Sequence, residues 1–280
     1  MEKLYVAGEN EYEILKGAYG SIENKIPFKP HIAVILGTGI GNFADDLKID
    51  KQIDFDEIIN FPKTTNEYHK GRFIFTNISG VNVVCMQGRI HYYEGYDSFE
   101  TVRPIRLLAM MGVKKIIITN AAGGIRKDLN VGDLMLINDH ISFFVPNPLR
   151  GKNIDEIGTR FPDMSEPYDK EIREKVKTIA KNNNIDIKEG VYVQTSGPTF
   201  ETKAEIQMLE KMGADAVAMS LGIEVIAARH AGMKVCGISM ITNKATGYRE
   251  GEHSNEEVRD VASKNVNRLE KLIKYIIPEI

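Results

Sequence analysis

The chain has 280 residues, of which 42% are hydrophobic and 27% charged, and this composition excludes a disordered protein. A formal net charge of −3 provides no basic face for nucleic acid, and no apolar run approaches the length of a membrane span. The first residues contain neither the basic nor the apolar stretch of a secretory signal. Cys85 and Cys236 each lie in an apolar run, so we expect unpaired core cysteines in a reducing cytoplasm.

Predicted strands alternate with predicted helices along the chain. The apolar runs predict strands at Ile32–Leu36, 72–77, 81–86, 115–119, 133–137, 191–195, 215–219 and 234–241. Helical periodicity covers 12–22 and 172–179, and Thr202 and Ser254 each open a capping box before a further helix. Several strands are apolar throughout, which is typical of a sheet covered on both faces.

These elements predict an α/β fold, a single domain over 1–280 with a central mixed, twisted β-sheet flanked by helices. The sheet is predicted to be mixed because 72–77 and 81–86, joined through Ser79-Gly80, form a hairpin. The one long stretch without periodicity, 146–167, is typical of a functional loop.

The first strand is followed by Gly37-Thr38-Gly39-Ile40-Gly41-Asn42. Its glycines could bring backbone N–H groups close to an anion, with the Thr38 hydroxyl beside them, although a tight turn explains them equally well. Asn42 stands where a dinucleotide-binding fingerprint needs glycine, which argues against an NAD-dependent enzyme.

The strand 81–86 is followed by Arg89, His91 and Glu94, at the edge where open α/β sheets bind ligands. A guanidinium fits phosphate or carboxylate, a histidine donates or accepts near neutral pH, and the glutamate could orient the histidine. In isolation, three such residues more often form a solvated surface loop.

Other strand ends carry an amide (Asn120), a flat face beside a carboxylate (Phe200 and Glu201) and a second amide (Asn243). Glu201 could instead complement a helix dipole, and Met219 could be core filler. For Asn243 a ligand-binding role is favoured, because burying an amide without a hydrogen-bond partner costs free energy. Two sets emerge: Thr38, Arg89, His91 and Ser220 suit phosphate, and Phe200, Glu201 and Asn243 suit a purine.

These residues lie in motifs that resemble those of the trimeric-type purine nucleoside phosphorylases. The resemblance runs from about Ile32 to the final helix and includes Gly37-Thr38-Gly39, His69-Lys70-Gly71-Arg72, Gln87-Gly88-Arg89, Tyr93-Glu94-Gly95, Asn120-Ala121-Ala122-Gly123-Gly124, Gly197-Pro198, Phe200-Glu201-Thr202 and Thr242-Asn243-Lys244. It implies an enzyme of purine salvage that uses inorganic phosphate as co-substrate, without metal or cofactor. Inosine, guanosine and their 2′-deoxy forms would be split into free purine and (deoxy)ribose 1-phosphate.

The resemblance also implies a role for each matching residue. The implied phosphate ligands are Thr38, His69, Arg89, His91, Asn120, Ala121 and Ser220. The implied ribose contacts are Tyr93, Met219, Phe161 and Asn255, and the implied base contacts are Phe200, Glu201 and Asn243. Asn243, His91 and Glu94 are the implied catalytic residues. Phe161 would reach the site of a neighbouring subunit, so a homotrimer is implied.

The chain departs from the family pattern at several places. Thr38 replaces a serine, Ala218 a glycine, and Leu221-Gly222-Ile223 the sequence Thr-Val-Pro. Asn255 stands where the family has a histidine near the 5′-hydroxyl, while His253 lies two residues earlier.

Two other functions stay open at this point. A methylthioadenosine phosphorylase would be expected to have aspartate in place of Asn243 and no match to Glu201. A nucleoside-binding module without turnover is disfavoured because both the phosphate set and the base set are complete.

Overall fold

One mixed, nine-stranded sheet organises the computed structural model, which describes residues 10–38, 40–44, 47–66 and 69–280, with the backbone alone for residue 42. Gly39 and the side chain of Asn42 thus lie outside the described residues. The strands are β1 (Ile32–Leu36), β2 (Ile49–Asp54), β3 (Arg72–Ile78), β4 (Val81–Gln87), β5 (Lys115–Gly124), β6 (Leu134–Ile141), β7 (Ile187–Gln194), β8 (Ala216–Ala218) and β9 (Lys234–Lys244).

The strand order is β2-β3-β4-β1-β5-β8-β7-β6-β9, and β9 also pairs with β5. Strands β5 to β9 therefore close into a barrel-like ring, while β1 to β4 extend from β5 as an open sheet. The predicted hairpin is present as the antiparallel pair β3–β4. The predicted class, an α/β fold with a mixed sheet flanked by helices, is confirmed, and the domain limits 1–280 stay a prediction.

Seven α-helices flank the sheet in the described ranges. They are α1 (Glu11–Ile22), α2 (Ser98–Thr101), α3 (Arg103–Met110), α4 (Lys170–Asn182), α5 (Lys203–Lys211), α6 (Gly222–His230) and α7 (Asn255–Ile276). None of these helices is long and apolar enough to cross a membrane.

The apolar strands are buried on both faces, as their composition predicts. In β5, Ile116 and Ile118 belong to one core cluster and Ile117 to a second. Cys85 in β4 and Cys236 in β9 are buried and unpaired. Alternate side chains of a strand point to opposite faces, so a run without polar interruption fills both clusters.

Four of the described elements were not predicted, namely α2, α3, β2 and α6, and the last two have a clear reason. Strand β2 is exposed at its first three positions, and its sequence, Ile-Asp-Lys-Gln-Ile-Asp, lacks an apolar run. Helix α6 is buried at nearly every position, so it shows no polar face and no helical period.

Candidate active site

A cavity of about 540 Å³ lies among the carboxyl ends of β4, β5, β7, β8 and β9. Most of the predicted site residues line it: Thr38, Arg89, His91, Tyr93, Glu94, Asn120, Ala121, Phe200, Glu201, Met219, Ser220, Asn243 and Asn255. The prediction that Asn120 and Asn243 follow their strands is wrong, since β5 runs on to Gly124 and β9 to Lys244. Both amides therefore lie within the sheet, where neighbouring strands fix them.

Two predicted residues do not line this cavity. His69 is buried behind His91, with the ring centroids 5.1 Å apart. Phe161 lies in the long loop before α4 and is 85% exposed. Within its own chain, Phe161 therefore has no part in the cavity.

The anion end of the cavity is built on Arg89, whose side chain is 1% exposed. Its Nη1 donates to Ser220 Oγ at 2.9 Å and its Nη2 donates to the Thr119 carbonyl at 2.8 Å. Its Nε lies 3.2 Å from Glu224 Oε1. The guanidinium is thus held on several sides before any ligand arrives.

Ser220 is placed by a tight backbone turn. Leu221 has φ 80° and ψ −51°, and the Gly222 N–H donates to the Ser220 carbonyl at 3.1 Å, which together form a γ-turn of the rare, strained type. Tyr192 Oη donates to the same carbonyl, and Gln194 Oε1 accepts from the N–H of Ile223. The departure Leu221-Gly222-Ile223 therefore leaves Ser220 beside Arg89, in a turn that buried side chains hold.

Glu94 orients His91. One carboxylate oxygen of Glu94 accepts from the His91 backbone N–H at 2.7 Å and lies 3.2 Å from His91 Nδ1. Burial would raise the pKa of Glu94, but hydrogen bonds from His91 and Thr65 hold that pKa at about 2. Burial lowers the pKa of His91 despite its bond to Glu94. An ionised Glu94 needs a proton on Nδ1, so Nε2 of a neutral His91 is left as an acceptor.

His69 is also neutral. Burial, with His91 and Arg89 nearby, lowers the pKa of His69 to about 3. Its Nε2 has no hydrogen-bond partner among the described residues. Arg89 is accordingly the one cation at the anion end of the described site.

Asn120 presents a donor to the cavity floor. Its Oδ1 accepts from Ser239 Oγ at 2.7 Å, across the paired strands β5 and β9. Its buried Nδ2 has no partner among the described residues. Ser239 thus leaves the N–H₂ group of Asn120 free for a ligand.

A β-bulge brings Thr242 and Asn243 to the cavity together. Ala122 pairs with Ile241, but Gly123 pairs with Asn243, so Thr242 is an extra residue on β9. Thr242 Oγ1 donates to Asn243 Oδ1 at 3.0 Å, which turns the Asn243 N–H₂ group toward His253 Nδ1, 3.4 Å away. A side chain at Gly123 would come within 3.2 Å of Asn243 Nδ2.

The opposite end of the cavity is aromatic and acidic. Phe200 stacks on His253, with the ring centroids 5.1 Å apart and the planes at 26°. Glu201 accepts from Thr195 Oγ1 at 2.7 Å, and its burial raises its pKa. Asn255 begins α7 and also lines the cavity, so either His253 or Asn255 could meet a ligand there.

Among the supporting residues that sequence reasoning missed, Ser239 and Glu224 differ in what the sequence shows. Ser239 carries no signal of its own, because a small hydroxyl residue in an apolar strand is ordinary. Glu224 does carry a signal, since it interrupts the apolar run Ile223-Glu224-Val225-Ile226.

Known proteins of similar sequence agree with this fold and cavity. The model of the phosphorylase superfamily matches residues 31–278. Purine nucleoside phosphorylase 1 of Bacillus subtilis is 43% identical over 265 residues, which cover 95% of this chain and 98% of that protein. Purine nucleoside phosphorylase of Bos taurus is 42% identical over 259 residues, which cover 90% of each chain.

Solved structures agree. A Schistosoma purine nucleoside phosphorylase in complex with hypoxanthine is 36% identical, with a TM-score of 0.89 over 96% of this chain and 97% of that one. Isoform 2 from Schistosoma mansoni, in complex with cytosine and ribose-1-phosphate, is 39% identical with a TM-score of 0.91 at the same coverage. The chain is an enzyme of the phosphorylase superfamily. Within that superfamily it belongs to the purine nucleoside phosphorylases, as its motifs indicate.

Proposed function

We propose that this enzyme catalyses phosphorolysis of the purine nucleosides inosine and guanosine and of their 2′-deoxy forms. The products are the free purine and (deoxy)ribose 1-phosphate. One observation carries the proposal: a single cavity joins an anion end, built on Arg89 and Ser220, to a base end built on Phe200, Glu201 and Asn243. A phosphate and a nucleoside bound there would meet at C1′.

The residues fit the charges that develop in this reaction. Phosphate oxygen attacks C1′ while the glycosidic C–N bond breaks, and the bonding electrons leave with the purine. Positive charge builds on the ribose beside the phosphate, and negative charge builds on the purine beside the Asn243 N–H₂ group. Both contacts strengthen toward the transition state, which is the requirement for catalysis.

The remaining predicted residues have matching roles. Nε2 of neutral His91 would accept a hydrogen bond from a donor group of the ligand, while Glu94 fixes the orientation of the ring. Asn120 Nδ2 and the Thr38 hydroxyl would donate to phosphate, with Ala121 lining the same cavity and His69 behind His91. Tyr93, Met219 and Asn255 would surround the ribose. Ionised Glu201 would accept from N1–H of a 6-oxopurine.

We also propose a homotrimer in which Phe161 reaches the cavity of the neighbouring subunit. The exposure of this large apolar side chain, in a loop outside its own cavity, supports the proposal. The role in purine salvage, the cytoplasmic location and the need for phosphate alone, without a cofactor, rest on the motifs and on the unpaired cysteines.

The test is to incubate the protein with inosine, with and without phosphate, and to follow hypoxanthine. Phosphate-dependent release is expected, and release that ignores phosphate would indicate a hydrolase. Failure to release base from inosine, guanosine or methylthioadenosine would leave only a binding module. Methylthioadenosine is expected to be the poor substrate, because Asn243 and Glu201 pair with a 6-oxopurine.

A further inference from the structure

A buried carboxylate lies against the guanidinium at the anion end of the cavity. Glu224 is in the first turn of α6 and is 3% exposed, and its Oε1 is 3.2 Å from Arg89 Nε. The residues around it in the helix are apolar and buried. Glu224 does not line the cavity, so its contact with a ligand is indirect.

Stability alone does not explain this pair. Removing two charges from water costs free energy that their attraction often fails to recover, so a buried ion pair is weak evidence for stabilisation. Glu224 Oε2 also has no hydrogen-bond partner among the described residues. A carboxylate kept in such surroundings is better explained by what it does to Arg89.

The donors of Arg89 can be counted. An arginine has five N–H groups in a rigid plane. One on Nη1 donates to Ser220 and one on Nη2 donates to Thr119, while Nε forms an ion pair with Glu224 at 3.2 Å without a hydrogen bond. One N–H on each terminal nitrogen is left, and these two suit bidentate binding of a phosphate.

We propose that Glu224 is a positioning residue for Arg89, which holds the guanidinium by its Nε edge so that its two spare N–H groups face phosphate. The inference rests on the proposed function, because phosphate is the ligand of that site. The orientation of the Arg89 guanidinium matters because Arg89 is the one lysine or arginine among the described lining residues. The contact is an ion pair in which Arg89 Nε forms no hydrogen bond among the described residues, so the charge of Glu224, held at this distance, does the positioning.

Two conservative variants separate position from charge. Glu224→Asp keeps the charge but withdraws the oxygen, and Glu224→Gln keeps an oxygen in place without the charge. Glu11→Asp is the matched control, because Glu11 is 2% exposed and pairs with Arg103 at 2.8 Å outside the cavity. The measurements are KM for phosphate, KM for inosine, kcat and Tm.

Glu224→Asp is expected to raise KM for phosphate about tenfold or more, since small displacements in a site are costly. Its KM for inosine should change little, and Glu224→Gln should also raise KM for phosphate, because the neutral amide no longer holds the guanidinium. Glu11→Asp should lower Tm without moving KM for phosphate. The inference is overturned if either Glu224 variant leaves KM for phosphate unchanged or lowers it, or if KM for inosine rises as much as KM for phosphate.

This failure is distinct from failure of the proposed function. Wild-type release of hypoxanthine tests the function by itself. If wild type is inactive, the rise of Tm with added phosphate still reports phosphate binding, and both Glu224 variants are then expected to need more phosphate than wild type for the same rise.

Discussion

Asn243 is the residue on which leaving-group stabilisation depends most directly. Its oxygen is occupied by Thr242. Its nitrogen donates to the Lys244 carbonyl at 3.1 Å and lies 3.4 Å from His253 Nδ1, and it can donate to a departing purine in exchange for one of these contacts. Asn243→Ala is expected to lower kcat about a hundredfold or more, the usual effect of losing one preorganised donor. Turnover of inosine and Tm should be measured together, and wild-type turnover in a folded variant would remove Asn243 from this role.

Glu201 predicts the pH dependence of base binding. Burial raises the pKa of Glu201, so this carboxyl takes up a proton at a higher pH than an ordinary glutamate. The protonated form no longer has a charge to attract N1–H, so KM for inosine should rise as pH falls through that raised pKa. KM measured between pH 4.5 and pH 8 checks this, within about the range where a buried carboxyl titrates.

A variant provides the control for that profile. Glu201→Gln should show a high KM for inosine at every pH, with no titration in the acidic range. If its profile still follows that of wild type, another group is responsible.

At the scale of elements, the approach of β1 to β5 requires Gly37. A side chain there would lie 2.6 Å from the Thr119 carbonyl oxygen and 2.9 Å from the Asn120 Cα, both backbone atoms of β5. Gly37→Ala is expected to lower the free energy of unfolding by about 1–3 kcal/mol, as overpacking does, and to raise KM for phosphate. Urea unfolding and phosphate kinetics measure the two effects.

Helix α1 offers a matched glycine. A side chain at Gly17 would meet nothing within 4 Å, so Gly17→Ala should raise stability by up to about 1 kcal/mol and leave KM unchanged. If Gly37→Ala and Gly17→Ala change the free energy of unfolding and KM for phosphate alike, the contact between β1 and β5 does not depend on Gly37.

The sequence predicts the strands that are buried on both faces, and it predicts the chemical groups at their ends. It does not predict the closure of β5 to β9, because pairing between β5 and β9 depends on register and not on composition. The contact of Ser239 with Asn120 and the bulge at Thr242 depend on that register as well. The contact of Ser239 with Asn120 could therefore not be predicted from the sequence, whereas most of the ligand-facing residues could.

At the scale of the whole molecule, a shared active site makes a complementation test possible. Asn243→Ala damages the site of its own subunit, whereas Phe161→Ala would damage the site of a neighbour. Trimers mixed from the two variants would contain some sites with both residues intact. We expect the mixture, unfolded and refolded together, to be more active than either variant refolded alone.

A second mixture, of Phe200→Ala with Asn243→Ala, serves as the control. Phe200 and Asn243 line the cavity of the same chain. Every site in that mixture therefore lacks one of the two residues, and no activity should be regained. Light scattering should give the mass of three chains in each sample. A monomeric mass, or no recovery with Phe161→Ala, contradicts the shared site.

The bulge at Thr242 has a consequence for insertion and deletion. Length changes are normally tolerated in loops and not in a central sheet. Here, however, loss of Thr242 would restore regular pairing between β5 and β9, since that residue is the extra one. The shortened chain would keep its sheet and its phosphate ligands. It would lose the Thr242 hydroxyl that orients the amide of Asn243 toward the departing purine. The fold and the catalytic site thus favour different lengths for the same strand.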